Sequence, residues 1–263
     1  MKKTIVKKDG DILQITTVDE RWYVKEVDKV NIFVPSVTWI TGFYPKGVEF
    51  YKWLASKGWD ESIAIRDAAG SRGSKVHYAV DDLIKGNEVK MTDKYFNPKT
   101  EQPEELEVDE YQCLMSFVAW CEEYNPEFIF SEVTFFTDKF AGTIDCICKI
   151  KNKKTGLDEF YLVDWKTSKS IWPSMQLQLS AYKKGALNIP EINSKVDMSN
   201  IKLAILQLGY TRNKKGFKFT EIEDNYKLFE ASYEIWKSEC ENIVPLQKDY
   251  PTSLKLSLTI EQK

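Results

Sequence analysis

Two hydrophobic periodicities divide the chain. Residues 1 to 34 alternate in short β-like runs that end with Asn31-Ile32-Phe33-Val34 before Pro35. Ser36 to Gly42 continues apolar, Val48 to Lys57 has the period of an amphipathic helix stopped at Gly58, and Ser62 to Ala69 reads as a short helix. A Gly70-Ser71-Arg72-Gly73-Ser74 turn leads into a helix from about Lys75 to Lys85, with Val76, Val80 and Leu83 as its buried stripe and Gly86 as its stop. Residues 87 to 108 are polar and predict a surface loop. Asp109 to Tyr124 returns to helical period through Tyr111, Leu114, Met115 and Val118, with Cys113 and Cys121 as small core residues.

The period then changes to two. Glu127 to Phe136, Phe140 to Ile150 and Glu159 to Val163 predict three antiparallel strands, the last two joined by the polar turn Lys151 to Gly156. Pro173 to about Leu187 predicts a helix with proline in its first turn. Ile201 to Leu208 and Phe217 to Ile222 predict a further strand pair across Asn213 to Gly216, and Asn225 to roughly Ile243 a closing helix; the tail after Pro245 carries no pattern. The expected architecture is one mixed α/β domain over residues 1–263. An α-rich N-terminal elaboration covers about 1–108, and a core of central mixed sheet flanked by helices covers about 109–245.

Composition narrows the partners. Ten carboxylates and no Lys or Arg lie between 101 and 132, so the 37 cationic residues, set against the remaining acidic ones, leave the rest of the chain at +7 despite a net charge of −3. A basic body with one acidic segment can bind phosphates locally, because screening makes nearby charge count most; solvated surface charge is the alternative. Only Arg21, Arg66, Arg72 and Arg212 are arginines, against 33 lysines, a balance suited to following phosphates rather than reading bases. No apolar run approaches a membrane span, no apolar signal core follows Met1-Lys2-Lys3-Thr4, and the 5 cysteines form no closely spaced framework. The expectation is a cytoplasmic protein with no membrane partner.

The chemistry concentrates in the second hairpin. If its polar turn closes symmetrically, 150 pairs with 159 and Asp145 lies opposite Asp164, with Cβ atoms roughly 4.5–5.5 Å apart. Asp145 points away from Cys146 and Cys148. Two ionised carboxylates at that range repel, and a divalent cation between them relieves the repulsion. Oxygen ligands select Mg²⁺ or Mn²⁺. Lys166 projects on the same face as Asp164, where an ammonium steadies a developing negative charge. Against this stands a pair of solvated strand-end carboxylates and an ordinary surface lysine.

Gly142-Thr143-Ile144-Asp145, Val163-Asp164-Trp165-Lys166-Thr167 and Gln178-Leu179-Ser180-Ala181-Tyr182, in this order and spacing, resemble the signature of RecB-like nucleases in the PD-(D/E)XK superfamily. His77, within Gly73-Ser74-Lys75-Val76-His77, is similar to that family's upstream histidine, and Val34-Pro35-Ser36-Val37-Thr38 to the start of its phage-type members. The likeness covers most of residues 34 to 222. It implies a restriction-endonuclease-like core, with Asp145, Asp164, His77 and the Trp165 backbone carbonyl as metal ligands and Lys166 as the catalytic lysine. Gln178 and Tyr182, four apart on one helix face, would orient the site or contact DNA; Arg72 and Thr167 join them as candidate substrate contacts. Glu132 stands open between a salt-bridged strand carboxylate and a site residue.

The resemblance thus implies a metal-dependent deoxyribonuclease using one or two Mg²⁺ or Mn²⁺ ions, an exonuclease with little sequence preference serving DNA recombination, repair or phage DNA processing. Alternatives are a structure-specific endonuclease of the same family and an inactive DNA-binding module of the same fold. Besides DNA, a single-strand-annealing or other recombination protein and a second copy of the chain are candidate partners. Relatives with an iron–sulfur cluster, such as the CRISPR-adaptation and AddB-type nucleases, carry one cysteine before the histidine and three near the C-terminus. Here no cysteine precedes His77 and Cys240 stands alone, so no cluster is expected. No Walker A pattern is present, so no ATP is expected.

Overall fold

Residues 4–16 and 21–35 pleat into a four-stranded antiparallel meander, β1 (Thr4–Asp9), β2 (Ile12–Thr16), β3 (Arg21–Val27) and β4 (Val30–Pro35), in that spatial order. The computed structural model describes residues 4–16 and 20–240. Asp28 and Lys29 close the β3–β4 hairpin with φ of 51° and 65°, the left-handed pair that a two-residue turn between twisted strands demands. The helices expected in this part of the chain follow as α1 (Val37–Gly42), α2 (Val48–Lys57) and α3 (Trp59–Ile84).

Helix α3 corrects the predicted break at Gly70–Ser74: it runs unbroken for 26 residues. Two glycines cost about 1 kcal/mol each relative to alanine in a helix interior, and tertiary packing overrides that. Ser71, Lys75, Val76, Ala79 and Val80 are all buried. Residues 87 to 108, expected as a polar loop, contain a short hairpin, β5 (Lys94–Asn97) and β6 (Gln102–Glu105). Its support is apolar: Val89, Tyr95 and Leu106 are buried against α3 and the following helix, α4 (Val108–Tyr124).

The central sheet comprises β7 (Glu127–Phe136), β8 (Ala141–Lys151), β9 (Asp158–Lys166), β10 (Lys202–Leu208) and β11 (Phe217–Ile222) in the order β11-β10-β9-β8-β7. Only the β9–β10 pair is parallel. A parallel neighbour needs a crossover, supplied here by α5 (Pro173–Ala186) and the unanticipated α6 (Pro190–Lys195). The closing helix α7 spans Tyr226–Cys240; Ile243 and the tail after Pro245 lie outside the described residues.

Helices cover both faces of this sheet, which is why its strands are apolar on both sides. One core joins α1, α5 and α7 to Ile147 and Leu162 and reaches the N-terminal sheet through Trp22 and Val24. The other joins α3 and α4 to Cys146, Cys148, Tyr161, Val163 and Trp165. Among the described residues, no helix is long and apolar enough to cross a membrane.

Candidate metal-binding site

Strand register brings the acids together. The β8–β9 ladder pairs Ile150 with Glu159, as the turn predicts, and runs to Cys146 opposite Val163. Asp145 and Asp164 are the next step of that register. On the other side, β7 pairs Ser131 with Cys146 and Val133 with Ile144, which sets Glu132 opposite Asp145. Three carboxylates therefore lie across three adjacent strands. Glu132 holds φ at 51°, a left-handed conformation that a glutamate in mid-strand adopts only when its surroundings impose it.

From the facing side, α3 delivers His77. Its Nε2–H donates to the Trp165 carbonyl at 3.1 Å, while Nδ1 lies 3.4 Å from Asp145 Oδ1 and 4.0 Å from Glu132 Oε1. Asp145 uses its second oxygen to accept from the Trp165 backbone N–H at 2.8 Å. Both aspartates are deep: Asp145 is 6% exposed and Asp164 1%. Helix α5 holds Asp164 from behind, with Gln178 Nε2 donating to its Oδ1 at 3.0 Å and to the Tyr182 hydroxyl at 2.8 Å. Asp164 Oδ2 is buried and in ion-pair contact with Lys166 Nζ.

These contacts polarise the group. Burial alone would lower the His77 pKa, yet the charge and hydrogen bond of Asp145, aided by Glu132, push it up to about 9. Burial also works against ionised Asp145, but His77, Lys166 and the Trp165 N–H hold it below the usual carboxylate range. Asp164 has the opposite balance: burial pushes it up to about 6, Asp145 adds to the rise, and Lys166 only partly offsets it. Burial and the neighbouring aspartates likewise drive the Tyr182 hydroxyl well up.

All ten residues singled out in the sequence line one cleft of about 470 Å³: Arg72, His77, Glu132, Asp145, Asp164, Trp165, Lys166, Thr167, Gln178 and Tyr182. Arg72 is already engaged, donating to Asp109 Oδ2 at 3.1 Å and to the Thr167 carbonyl at 3.2 Å. The same cleft takes in residues that the sequence did not single out as site residues, among them Gln14, Arg21 and Tyr23 from the N-terminal part.

The donor atoms suit a cation. His77, Glu132 and Asp145 offer ligand atoms that all lie within 4.8 Å of one another. Asp164 stands outside that group, held by Gln178 and Lys166, and its carboxylate is a further anionic group beside the trio. The Trp165 carbonyl is occupied by the histidine ring. Two carboxylates and an imidazole accept several divalent metals, and the set does not single one out. Comparison with protein-family models finds no match to this chain, and a search of curated proteins finds none either.

Proposed function

We propose that the protein is a divalent-metal-dependent deoxyribonuclease, an exonuclease of low sequence preference that hydrolyses phosphodiester bonds with Mg²⁺ or Mn²⁺. The observation that carries this reading is convergence: motifs scattered from His77 to Tyr182 meet in one cleft, with the metal-competent trio of His77, Glu132 and Asp145 beside the Asp164–Lys166 pair.

His77, Glu132 and Asp145 would hold the ion, with Asp164 beside them; once bound, it would offset the clustered negative charge and polarise a phosphoryl oxygen. The protein groups divide the remaining work. The Trp165 carbonyl fixes the imidazole ring through Nε2 and leaves Nδ1 turned to the acids. Gln178 fixes the plane of the Asp164 carboxylate. Lys166, two residues on, places an ammonium at the same point, where negative charge grows as the phosphate becomes pentavalent. Phosphate chemistry in general asks of a protein chiefly such positioning and charge stabilisation.

The test is end-labelled single- and double-stranded DNA incubated with Mg²⁺ or Mn²⁺, beside a closed circle and a chelator control. Shortening of the labelled strands that the chelator abolishes is the expected result. DNA that is bound but uncut with either metal overturns the reading in favour of an inactive binding module. Rapid nicking of the circle overturns the exonuclease mode.

A further inference from the structure

The meander of residues 4–16 and 21–35 lies almost wholly outside the span that resembles the nuclease family, yet it forms one wall of the cleft. A phosphate chain entering there meets Glu132, Asp145 and Asp164, which repel it, so cations on the walls must favour it. Besides His77 among the acids, three cations line the cleft: Lys166, Arg72 and Arg21. Lys166 lies against Asp164, and Arg72 is held by Asp109 and the Thr167 carbonyl. Arg21 has no carboxylate partner among the described residues; its guanidinium reaches only Thr38 Oγ1, at 3.5 Å.

The backbone of Arg21 is as fixed as its side chain is uncommitted. Its carbonyl accepts from the Ser36 N–H at 2.8 Å, and it pairs with Thr16 in the β2–β3 ladder. Two residues on, the Tyr23 hydroxyl meets Thr143 Oγ1 at 3.2 Å, and Thr143 is two residues from Asp145. The wall is thus registered against the strand that carries the acids. Thr16 Oγ1, beside Arg21, is buried with no hydrogen-bond partner among the described residues.

We propose that Arg21 grips a backbone phosphate of the DNA strand held in the cleft, which makes the N-terminal sheet part of the substrate site. This rests on the nuclease reading. The strand is unpaired: at about 470 Å³ the cleft has the size of a small-ligand pocket, room for the backbone of one strand and not for both strands of a duplex.

The experiment measures binding of a fluorescent single-stranded oligonucleotide in Ca²⁺ across a salt series, for wild type, Arg21→Ala, Arg21→Gln and Arg212→Ala, an arginine outside the cleft. Either Arg21 change is expected to weaken binding about tenfold and to make the slope of log affinity against log salt shallower by about 0.7, the value of one phosphate contact on a single strand. Mn²⁺ binding and melting temperature stay at wild-type values. A variant that melts like wild type and keeps its affinity and slope, or loses no more than Arg212→Ala, overturns the assignment. So does wild type that binds hairpin duplex as tightly as the single strand. Wild type that cuts DNA while Arg21→Gln binds normally removes only the role of Arg21; wild type that neither binds nor cuts removes the nuclease reading and this inference with it.

Discussion

Gln178 on α5 reaches across the helix–sheet interface and donates its side-chain amide to Asp164 Oδ1 at 3.0 Å, holding a carboxylate that is almost wholly buried. Replacing the amide by leucine, which keeps the bulk, strips a buried charge-bearing oxygen of its donor. Gln178→Leu should lower stability by about 1–3 kcal/mol in urea denaturation. A double-mutant cycle with Asp164→Asn should show coupling on the order of 0.5–3 kcal/mol. Strictly additive effects would mean that the contact holds nothing.

On the proposed function, Lys166 is the residue that tests catalysis apart from binding. Lys166→Met keeps the stem and removes the charge that partly restrains the rise of the Asp164 pKa. Single-turnover cleavage should fall on the order of 10²-fold or more, the usual cost of one electrostatic donor. Mn²⁺ affinity, measured by calorimetry, should change little, because the trio that offers ligand atoms does not include this residue. Near wild-type cleavage would reduce Lys166 to an ordinary surface lysine.

His77 is the chain's 1 histidine, so one imidazole resonance reports its titration. In metal-free protein its folded-state pKa of about 9 exceeds the ordinary 6.5, so the folded state binds that proton more tightly than the unfolded chain. The resulting stabilisation is complete below about 6.5 and disappears as the pH rises through about 9. Asp145→Asn removes the strongest influence that raises the value. The resonance should then titrate at lower pH, and the loss of stability across this window should flatten. A wild-type histidine titrating near 6.5 would contradict the geometry.

Helix α5 lies so close to the sheet that a Cβ at Gly185 would fall 2.2 Å from Phe135 Cε2, and one at Gly142 would fall 2.7 Å from Tyr182 Cε1. Alanine gains about 1 kcal/mol over glycine inside a helix, but overpacking a core costs about 1–3 kcal/mol. Phe135 is 1% exposed and has nowhere to move, so the steric term should win. Gly185→Ala should therefore lower the urea midpoint; a raised midpoint would show that the ring yields.

The hairpin that carries Asp145 and Asp164 was legible because its turn is short and polar and both strands are regular, which leaves one symmetric closure. Glu132 could not be placed in the same way. The β7–β8 register shifts between Phe128 and Phe130, and without that bulge Glu132 would face Ile144 instead of Asp145. A bulge of this kind leaves no mark in residue type. Gly70 and Gly73 suggested a turn because local propensity argues for one, whereas burial of Ser71, Lys75 and Val76 decides for a helix. Arg21 was invisible as a site residue for another reason: what brings it to the cleft is the docking of Tyr23 on Thr143, a contact between distant parts of the chain.

The unbroken α3 has a mechanical consequence. Lys75 and His77, two residues apart, project from nearly opposite sides of one rod about 39 Å long. On one flank Lys75 is clamped by Glu110 at 2.8 Å, both 3% exposed, and by the Glu105 carbonyl at 3.1 Å. On the other, His77 is clamped by the Trp165 carbonyl. One short stretch of helix is therefore anchored on both flanks at once. The seating of the β5–β6 hairpin and the aim of the imidazole are thus fixed from a single helical turn.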